Sequence, residues 1–575
     1  MGDWNLFDAI CVVGRHCRLE AGMPHTAEDL LEEMDRHGIA EALVLDSLSR
    51  ELHPADGNAR VLEATRLSPR LHPAWAALPP GVAEDQPKPD DLVRRMRQHG
   101  VGALFLFTGQ YRFNLSDWCL DELLGPLAEA RVPAFIVPYE AGATWGGTDQ
   151  TDWPGVVDLC RRWPTLPVVV SEWRIRRTQR LAYRALDACP NLRIELSGYW
   201  LYRGIEYITG RWGAGRLLFG SNWPTFNPGM TLCPLTLADI SNEDKRRIAG
   251  GNLRELVAWC SPPAGSNTLP LVLEPSGGKQ GRRPGEEVDE FGWVSLGPAS
   301  LAPHPSAGGS APAADEFVRF GRTGERPSGM RFCDCHGHLG GRFSHYHVPG
   351  GDLEATVREM ERLGVEKACV FSFAGVTSDE AFGNDIVAEA VRRHPERFVG
   401  FTLLNPHRGR DAMRRELERC AKLGLRGIKL IPHYQGYPEH GPLVDVACQW
   451  AHDRKQIILN HSWGSPEQME RLATAYPDAC FIAGHTTTAY ADLMKRHANL
   501  FVCSCPLLGP RDCERTVAAI GSDRLLFGSD LQDLPIAWGL GPILFARLPA
   551  EEKRLVLGGN LRRLLRRYSL GAGEG

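Results

Sequence analysis

The chain has 575 residues, 43% of them hydrophobic and 23% charged, with 65 basic against 70 acidic side chains and a formal net charge of −5. That near balance gives no global electrostatic reason to bind nucleic acid or an anionic membrane, and no apolar run approaches the roughly 20 residues of a membrane span. MGDWNLFDAI lacks the basic start and long apolar run of a secretory leader, so a cytoplasmic protein with a small-molecule substrate is expected. The 16 cysteines are scattered through segments such as CVFSF and CFIAG without CxxC pairs, which reads as buried thiols rather than a zinc ribbon or a disulfide framework.

In chain order, residues 1–260 carry apolar runs from LFDAICVVG through GALFLF, PAFIVPY, PVVVSEW and RIELSGY to RLLFGSN. Residues 261–330 turn rich in Pro, Gly, Ser and Ala, as in PSGGKQGRRPGEE, and read as a flexible linker, with VDEFGWVSL as a candidate docking piece inside it. Residues 331–570 then give eight apolar runs: RFCDCHGH, KACVFSF, FVGFTLLN, GIKLIP, QIILNHS, CFIAGH, LFVCSCP and RLLFGSD. Between them, stretches such as LEATVREMERLG and DAMRRELERCAKLG show the 3.6-residue apolar period and end at glycine, as helix C-termini do. Eight strand-helix units predict a (β/α)8 barrel ahead of an open doubly wound sheet.

The chain also repeats itself. RLLFGSD at 524–530 answers RLLFGSN at 216–222, and GGNLRRLL from Gly558 answers GGNLRELV from Gly250, both at an offset of 308. FDAICVVG ending at Gly14 answers CDCHGHLG ending at Gly340. The expected architecture is therefore α/β, two tandem (β/α)8 barrels joined by the linker.

Polar residues collect at the predicted carboxyl ends of the second set of strands, where barrel active sites form: His336 and His338 on strand one, Lys429 in strand four, His461 after strand five, His485 after strand six and Asp530 after strand eight. Two histidines two apart on a strand face the same side, a spacing that suits chelation, and imidazole with carboxylate favours zinc or a similar divalent ion. A lone HxH is weak evidence; four strand ends in agreement are strong.

DCHGHLG, RGIKLIPHYQGY, ILNHS, IAGH, LLFGSD and GGNLRRLL, in this order, resemble the amidohydrolase-related metal-dependent barrel family that includes aminocarboxymuconate semialdehyde decarboxylase and related hydrolases, over about Arg331 to Tyr568. The resemblance implies His336, His338, His461 and Asp530 as metal ligands around one divalent ion, Zn2+ first among candidates. It implies His485 as the residue that positions or deprotonates metal-activated water, with Asp530 sharing the proton. Asp334 takes a supporting role. Some relatives bridge two metals through a carboxylated strand-four lysine, but the GIKL context resembles the single-metal branch, leaving Lys429 to substrate binding or a structural ion pair.

The loops offer Arg342, His345 and His347 after strand one, His433, Tyr434 and His440 after strand four, and Trp463 beside His461. Arg342 is a candidate carboxylate clamp and Trp463 a candidate cover for a planar substrate. The first copy departs at every metal position: Ile10, Val12, Leu104, Pro138 (or Tyr139 or Glu140), Glu172 and Asn222 stand where the second has His336, His338, Lys429, His461, His485 and Asp530. No catalytic metal is expected there. Its retention suggests a built-in partner packed on the active barrel as subunits of relatives pair, or a ligand-binding or regulatory module using Trp200, Arg203 and Trp223; a further homo-oligomer stays open. Three functions follow: a metal-dependent hydrolase of a small carboxylated amide, ester or lactone, a nonoxidative decarboxylase of an unsaturated or aromatic acid, or a non-catalytic scaffold.

Overall fold

The computed structural model describes residues 4–17, 22–81, 86–139, 150–260 and 315–568. VDEFGWVSL, the rest of 261–314 and Glu140 lie outside the described residues. Eight parallel strands in sequential order form the C-terminal sheet: Phe332–Leu339, Val365–Ser372, Phe398–Leu403, Gly427–Leu430, Ile457–Asn460, Cys480–Ala483, Leu500–Cys503 and Leu525–Leu526. The sheet closes on itself, since Cys335 N donates to Phe527 O (2.8 Å) and His338 N to Leu531 O (2.8 Å), joining strand one to the strand-eight side. The near-continuous apolar runs have their cause here: a parallel strand covered by helices outside and packed side chains inside is buried on both faces, and every residue of Phe332–Leu339 is buried.

The N-terminal copy repeats this path with Leu6–Val13, Ile39–Asp46, Leu71–Pro73 continued by Trp75–Ala76, Leu104–Leu106, Ala134–Ile136, Val168–Val170, Leu192–Glu195 and Leu217–Leu218. It closes in the same place, through Ala9 N to Phe219 O (3.0 Å) and Val12 N to Trp223 O (2.8 Å). The protein is thus two tandem (β/α)8 barrels, as the internal repeat predicts. Local chemistry sets the helix limits. Thr26 and Asp29 form a capping box at the start of Ala27–His37, and Gly38 ends that helix at φ 73°, a left-handed conformation that costs glycine nothing. Leu353–Leu363 begins on the Asp352 carboxylate and ends at Gly364 (φ 84°) in the same way.

Inside the stretch read as linker, Glu316–Thr323 is a helix whose first turn is capped by Asp315 and whose Phe317, Val318 and Phe320 are buried. The copies touch where helices Gly229–Thr236 and Ile536–Leu544 cross. Gly229 and Gly541 meet backbone to backbone there: a Cβ on Gly541 would stand 2.0 Å from Gly229 O. Trp200 of one copy packs on Trp538 of the other with ring centroids 5.3 Å apart. Among the described residues no helix is long and apolar enough to cross a membrane.

Candidate metal centre

Strand one delivers His336 and His338 into the mouth of the C-terminal barrel, and the turn after strand eight brings Asp530 against them. Asp530 Oδ1 lies 2.9 Å from His338 Nε2 and 3.4 Å from His336 Nε2. The ligand-capable atoms of the three residues lie within 4.8 Å of one another, and all three side chains are buried. His336 Nδ1 sits 3.1 Å from Gly484 O; a carbonyl only accepts, so Nδ1 carries the hydrogen and Nε2 offers its lone pair to the cluster. His338 stacks on Phe373 (4.5 Å, 9°), and its Nδ1 is buried without a hydrogen-bond partner.

Burial, then the nearby Lys429, holds the His336 pKa well below the ordinary imidazole value. Burial opposes the charge on Asp530, but the surrounding imidazoles, His336 and His338 foremost, outweigh it and keep its pKa well below the usual carboxylate range. An unprotonated His336 Nε2 beside an ionised Asp530 carboxylate, with the His338 imidazole within reach of both, is a donor set suited to a divalent metal, so the residues present fit the ion that the resemblance implies.

His461 stands outside that trio. Its Nε2 faces His485 Nε2 at 2.8 Å, with ring centroids 4.0 Å apart. His485 Nδ1 lies 3.1 Å from Cys505 O, which leaves its Nε2 unprotonated in the neutral ring. Burial lowers the His485 pKa to about 4, and burial together with His485 lowers His461 to about 2. Asp334 is fully buried beneath the cluster: Oδ1 accepts from His336 N (3.0 Å) and Ser529 N (3.1 Å), and Oδ2 from Ser529 Oγ (2.5 Å). It holds strand one to the strand-eight turn, a supporting role of the kind the resemblance implies. Lys429 is also fully buried, with Nζ 3.3 Å from His336 Nε2 and 4.3 Å from the Phe371 ring centroid, and burial lowers its pKa to about 8.

Above the cluster opens a cavity of about 1090 Å³, lined by His336, His338, His461, His485 and Asp530 and by the loop residues His345, His433 and Tyr434. Three further lining residues, Arg174, Arg176 and Arg177, come from the N-terminal copy, so the mouth is built from both barrels. Reading the sequence missed them. The only trace was RIRR, a basic run directly after PVVVSEW in a copy otherwise stripped of its ligands.

Three of the expected substrate-binding residues are not in the cavity wall. Trp463 is fully buried, donates Nε1–H to Ile482 O (2.9 Å) and packs edge-on against Phe481, so its ring is taken up by strand six. Arg342 pairs through its backbone with His347 and is not among the lining residues. Lys429 lies below the floor, shielded by His336. His347 and His440 are likewise absent from the lining; His347 N instead accepts a role in the contact between copies, donating to Gln179 Oε1 (2.8 Å).

In the N-terminal copy the same strand ends have been refilled. Ile10 and Val12 are buried apolar residues, Asn222 Nδ2 donates to Tyr139 Oη (2.8 Å), and Glu172 accepts from Thr178 Oγ1 (2.8 Å) and Thr151 Oγ1 (2.5 Å). Asp8 repeats the part of Asp334, accepting from Ile10 N (3.2 Å) and Ser221 N (2.9 Å).

Two closed barrels, one carrying a buried His-x-His and Asp cluster at its carboxyl-end mouth, define an amidohydrolase-type barrel protein. The chain belongs to the amidohydrolase family: a family model described as amidohydrolase matches residues 19–258 and again 333–567. Among solved structures it is similar to 5-carboxyvanillate decarboxylase from Sphingomonas paucimobilis, at 17% identity over 41% of this chain and 99% of that one, with a TM-score of 0.33. It is similar to a dihydroxybenzoic acid decarboxylase from Polaromonas sp. with bound manganese, at 16% identity over 41% of this chain and 97% of that one, TM-score 0.32. It is also similar to a probable 2-pyrone-4,6-dicarboxylic acid hydrolase from Acinetobacter baumannii, at 12% identity over 41% and 100%, TM-score 0.34. No curated protein matches the chain.

Proposed function

We propose that the C-terminal barrel is a metal-dependent hydrolase of a small carboxylated amide, ester or lactone. His336, His338 and Asp530, with His461 beside them, would hold a single divalent ion, and the imidazole-rich donor set favours Zn2+. When bound, such an ion supplies Lewis acidity to water and to a substrate carbonyl. Around it, His485 keeps Nε2 unprotonated through its Nδ1 contact with Cys505 O, so it is set to take a proton from water at neutral pH. Asp530, held ionised, shares that proton. Arg174 and Arg177 add positive charge to one wall, where Arg176 is paired with Asp533, and His433 and Tyr434 complete the rim, which suits an anionic substrate.

The observation that carries the hydrolase reading is the placing of His485, which lines the cavity beside the cluster with Nδ1 3.1 Å from Cys505 O and Nε2 left as an acceptor. A decarboxylase would need the same side chain to arrive protonated and deliver a proton to carbon, whereas burial, which lowers its pKa to about 4, leaves the ring unprotonated near neutral pH. The test uses the full chain. Metal analysis should return one equivalent, and a panel of carboxylated lactones, amides and unsaturated acids should release acid rather than carbon dioxide. His485→Ala should lower kcat by about 10²–10⁴-fold with the metal retained, whereas Asp530→Ala should lose the metal. Carbon dioxide release would install the decarboxylase instead, and no metal after supplementation would leave a scaffold.

The N-terminal barrel, in this reading, holds no catalytic metal and serves as the intramolecular partner of the other. Expressed alone, residues 315–575 should self-associate, because the Ile536–Leu544 helix would lose its cover. A monomeric fragment with full activity would remove that role.

A further inference from the structure

The arginines at the mouth come from a loop with defined supports. Strand six of the N-terminal copy, Val168–Val170, runs into Glu172, and a short 3-10 turn, Ile175–Arg177, follows. Glu172 occupies the position that holds His485 in the other copy (485 − 172 = 313). Both its carboxylate oxygens accept from Thr178 Oγ1, at 2.8 and 2.9 Å, which closes the loop behind Arg176. Ile175 is buried and donates its N–H to Gly198 O (3.2 Å). The place of a catalytic histidine has become a brace for an arginine.

Arg176 points across the interface. Its Nη1 donates to Asp533 Oδ2 at 2.7 Å and to Asp533 O at 3.3 Å, and its guanidinium lies 5.9 Å from the Tyr346 ring centroid. Each of these partners belongs to the C-terminal copy. The pair is largely buried, with side-chain exposures of 11% and 14%.

Asp533 closes the turn that begins at Asp530: Asp533 N donates to Asp530 O (2.8 Å). Two non-glycine residues of this turn, Asp530 (φ 60°) and Gln532 (φ 68°), sit in the left-handed region, which costs of order 1 kcal/mol each and persists only where neighbours hold it. Gln532 is held from within its own barrel by Thr356 Oγ1 (2.8 Å) and Gly351 O (3.0 Å). The Asp533 end is held from the other copy.

The repeat supplies a control. At an offset of 308 the N-terminal copy has Asn222 (φ 53°) and Thr225, whose N–H donates to Asn222 O (2.9 Å), so the backbone turn itself forms without an ion pair and what the clamp can add is its rigidity. The counterpart of Arg176 in the C-terminal copy is Ala489 (176 + 313), and the counterpart of Asp533 is Thr225, so the reverse ion pair cannot form. The clamp runs one way, from the copy without ligands to the copy with them.

We propose that Arg176 of the N-terminal barrel is a positioning residue that fixes the Asp530–Asp533 turn and so sets the direction in which the Asp530 carboxylate enters the metal cluster. The proposal rests on the metal-site reading only for its consequence, since the Arg176–Asp533 pair involves none of the proposed metal ligands' side chains.

Two measurements on the full chain test it. In chelator-stripped protein, hydrogen–deuterium exchange of peptides covering 528–534 should rise several-fold in Arg176→Ala and return most of the way in Arg176→Lys. In Zn2+ titration against a competing chelator, Arg176→Ala should bind about 10-fold more weakly, at unchanged stoichiometry. Asp533→Asn, which cuts the same pair from the other side, should reproduce both effects and carries the test should Arg176→Ala not fold. Wild-type exchange and wild-type Zn2+ affinity in folded variants would overturn the clamp. Raised exchange with unchanged affinity would overturn its link to Asp530. If the wild-type chain itself takes up no Zn2+, the metal reading falls alone, and the exchange comparison still decides whether Arg176 fixes the turn.

Discussion

Asp334 and Asp8 occupy the same position in the two copies and do the same work, each accepting backbone N–H groups that tie strand one to the strand-eight turn. Burial raises the pKa of Asp334 to about 7 and of Asp8 to about 6, so the hydrogen bonds, not a counter-charge, keep them in place. Replacing Asp334 by Ala strands two buried backbone donors and the Ser529 hydroxyl, and each such loss costs about 1–3 kcal/mol. Asp334→Ala should therefore lower the urea unfolding free energy by about 3 kcal/mol or more; a change below about 1 kcal/mol would show the tie to be dispensable. At this scale the sequence was informative where spacing alone fixes direction. Two residues apart on a strand means one face, and His336 and His338 do share it. It misled where direction depends on what the chain does next, as at Trp463, which turns into the core two residues past His461.

Among the elements, the crossing of Gly229–Thr236 over Ile536–Leu544 carries the closest approach between copies. A methyl group at Gly541 would collide with the Gly229 carbonyl, and overpacking of this kind typically costs about 1–3 kcal/mol. Gly541→Ala should lower Tm by several degrees. Gly210→Ala, inside helix Gly204–Trp212 with open space around the added methyl, should hold or raise it by reducing unfolded-chain entropy. Equal shifts in the two variants would mean that the crossing tolerates separation. The strands were legible as apolar runs because burial on both faces leaves little room for polar residues. The helix Glu316–Thr323 was not: eight residues following a Pro- and Gly-rich stretch carry too few turns for periodicity to register, and its apolar face exists only to meet the two barrels.

Across the whole molecule, pH acts on the seam between barrels. His37 packs against Phe545 of the other copy (4.3 Å) and its Nδ1 lies 2.8 Å from Glu33 O. Burial, with Arg36, Arg547 and Arg322 nearby, lowers its pKa from 6.5 to about 3. Between those values the unfolded chain binds a proton that the folded protein refuses, so stability falls as pH drops through 6.5 toward 3. The loss reaches about 2 kcal/mol at pH 5 for this group. His37→Gln should lose less unfolding free energy than wild type between pH 7.5 and 5, measured in urea. An identical loss would acquit His37.

By itself the sequence determined the doubled barrel, the family, and the strand ends that carry the candidate ligands, because strand periodicity, the 308-residue offset and the HxH spacing are local or translational properties that survive without coordinates. Only the tertiary structure decided that Arg174, Arg176 and Arg177 stand over a cluster more than 150 residues away in the chain, and that His461 faces His485 rather than the trio. Packing of one barrel on another is a contact between surfaces, and nothing in the spacing of residues along either copy encodes which loop meets which mouth.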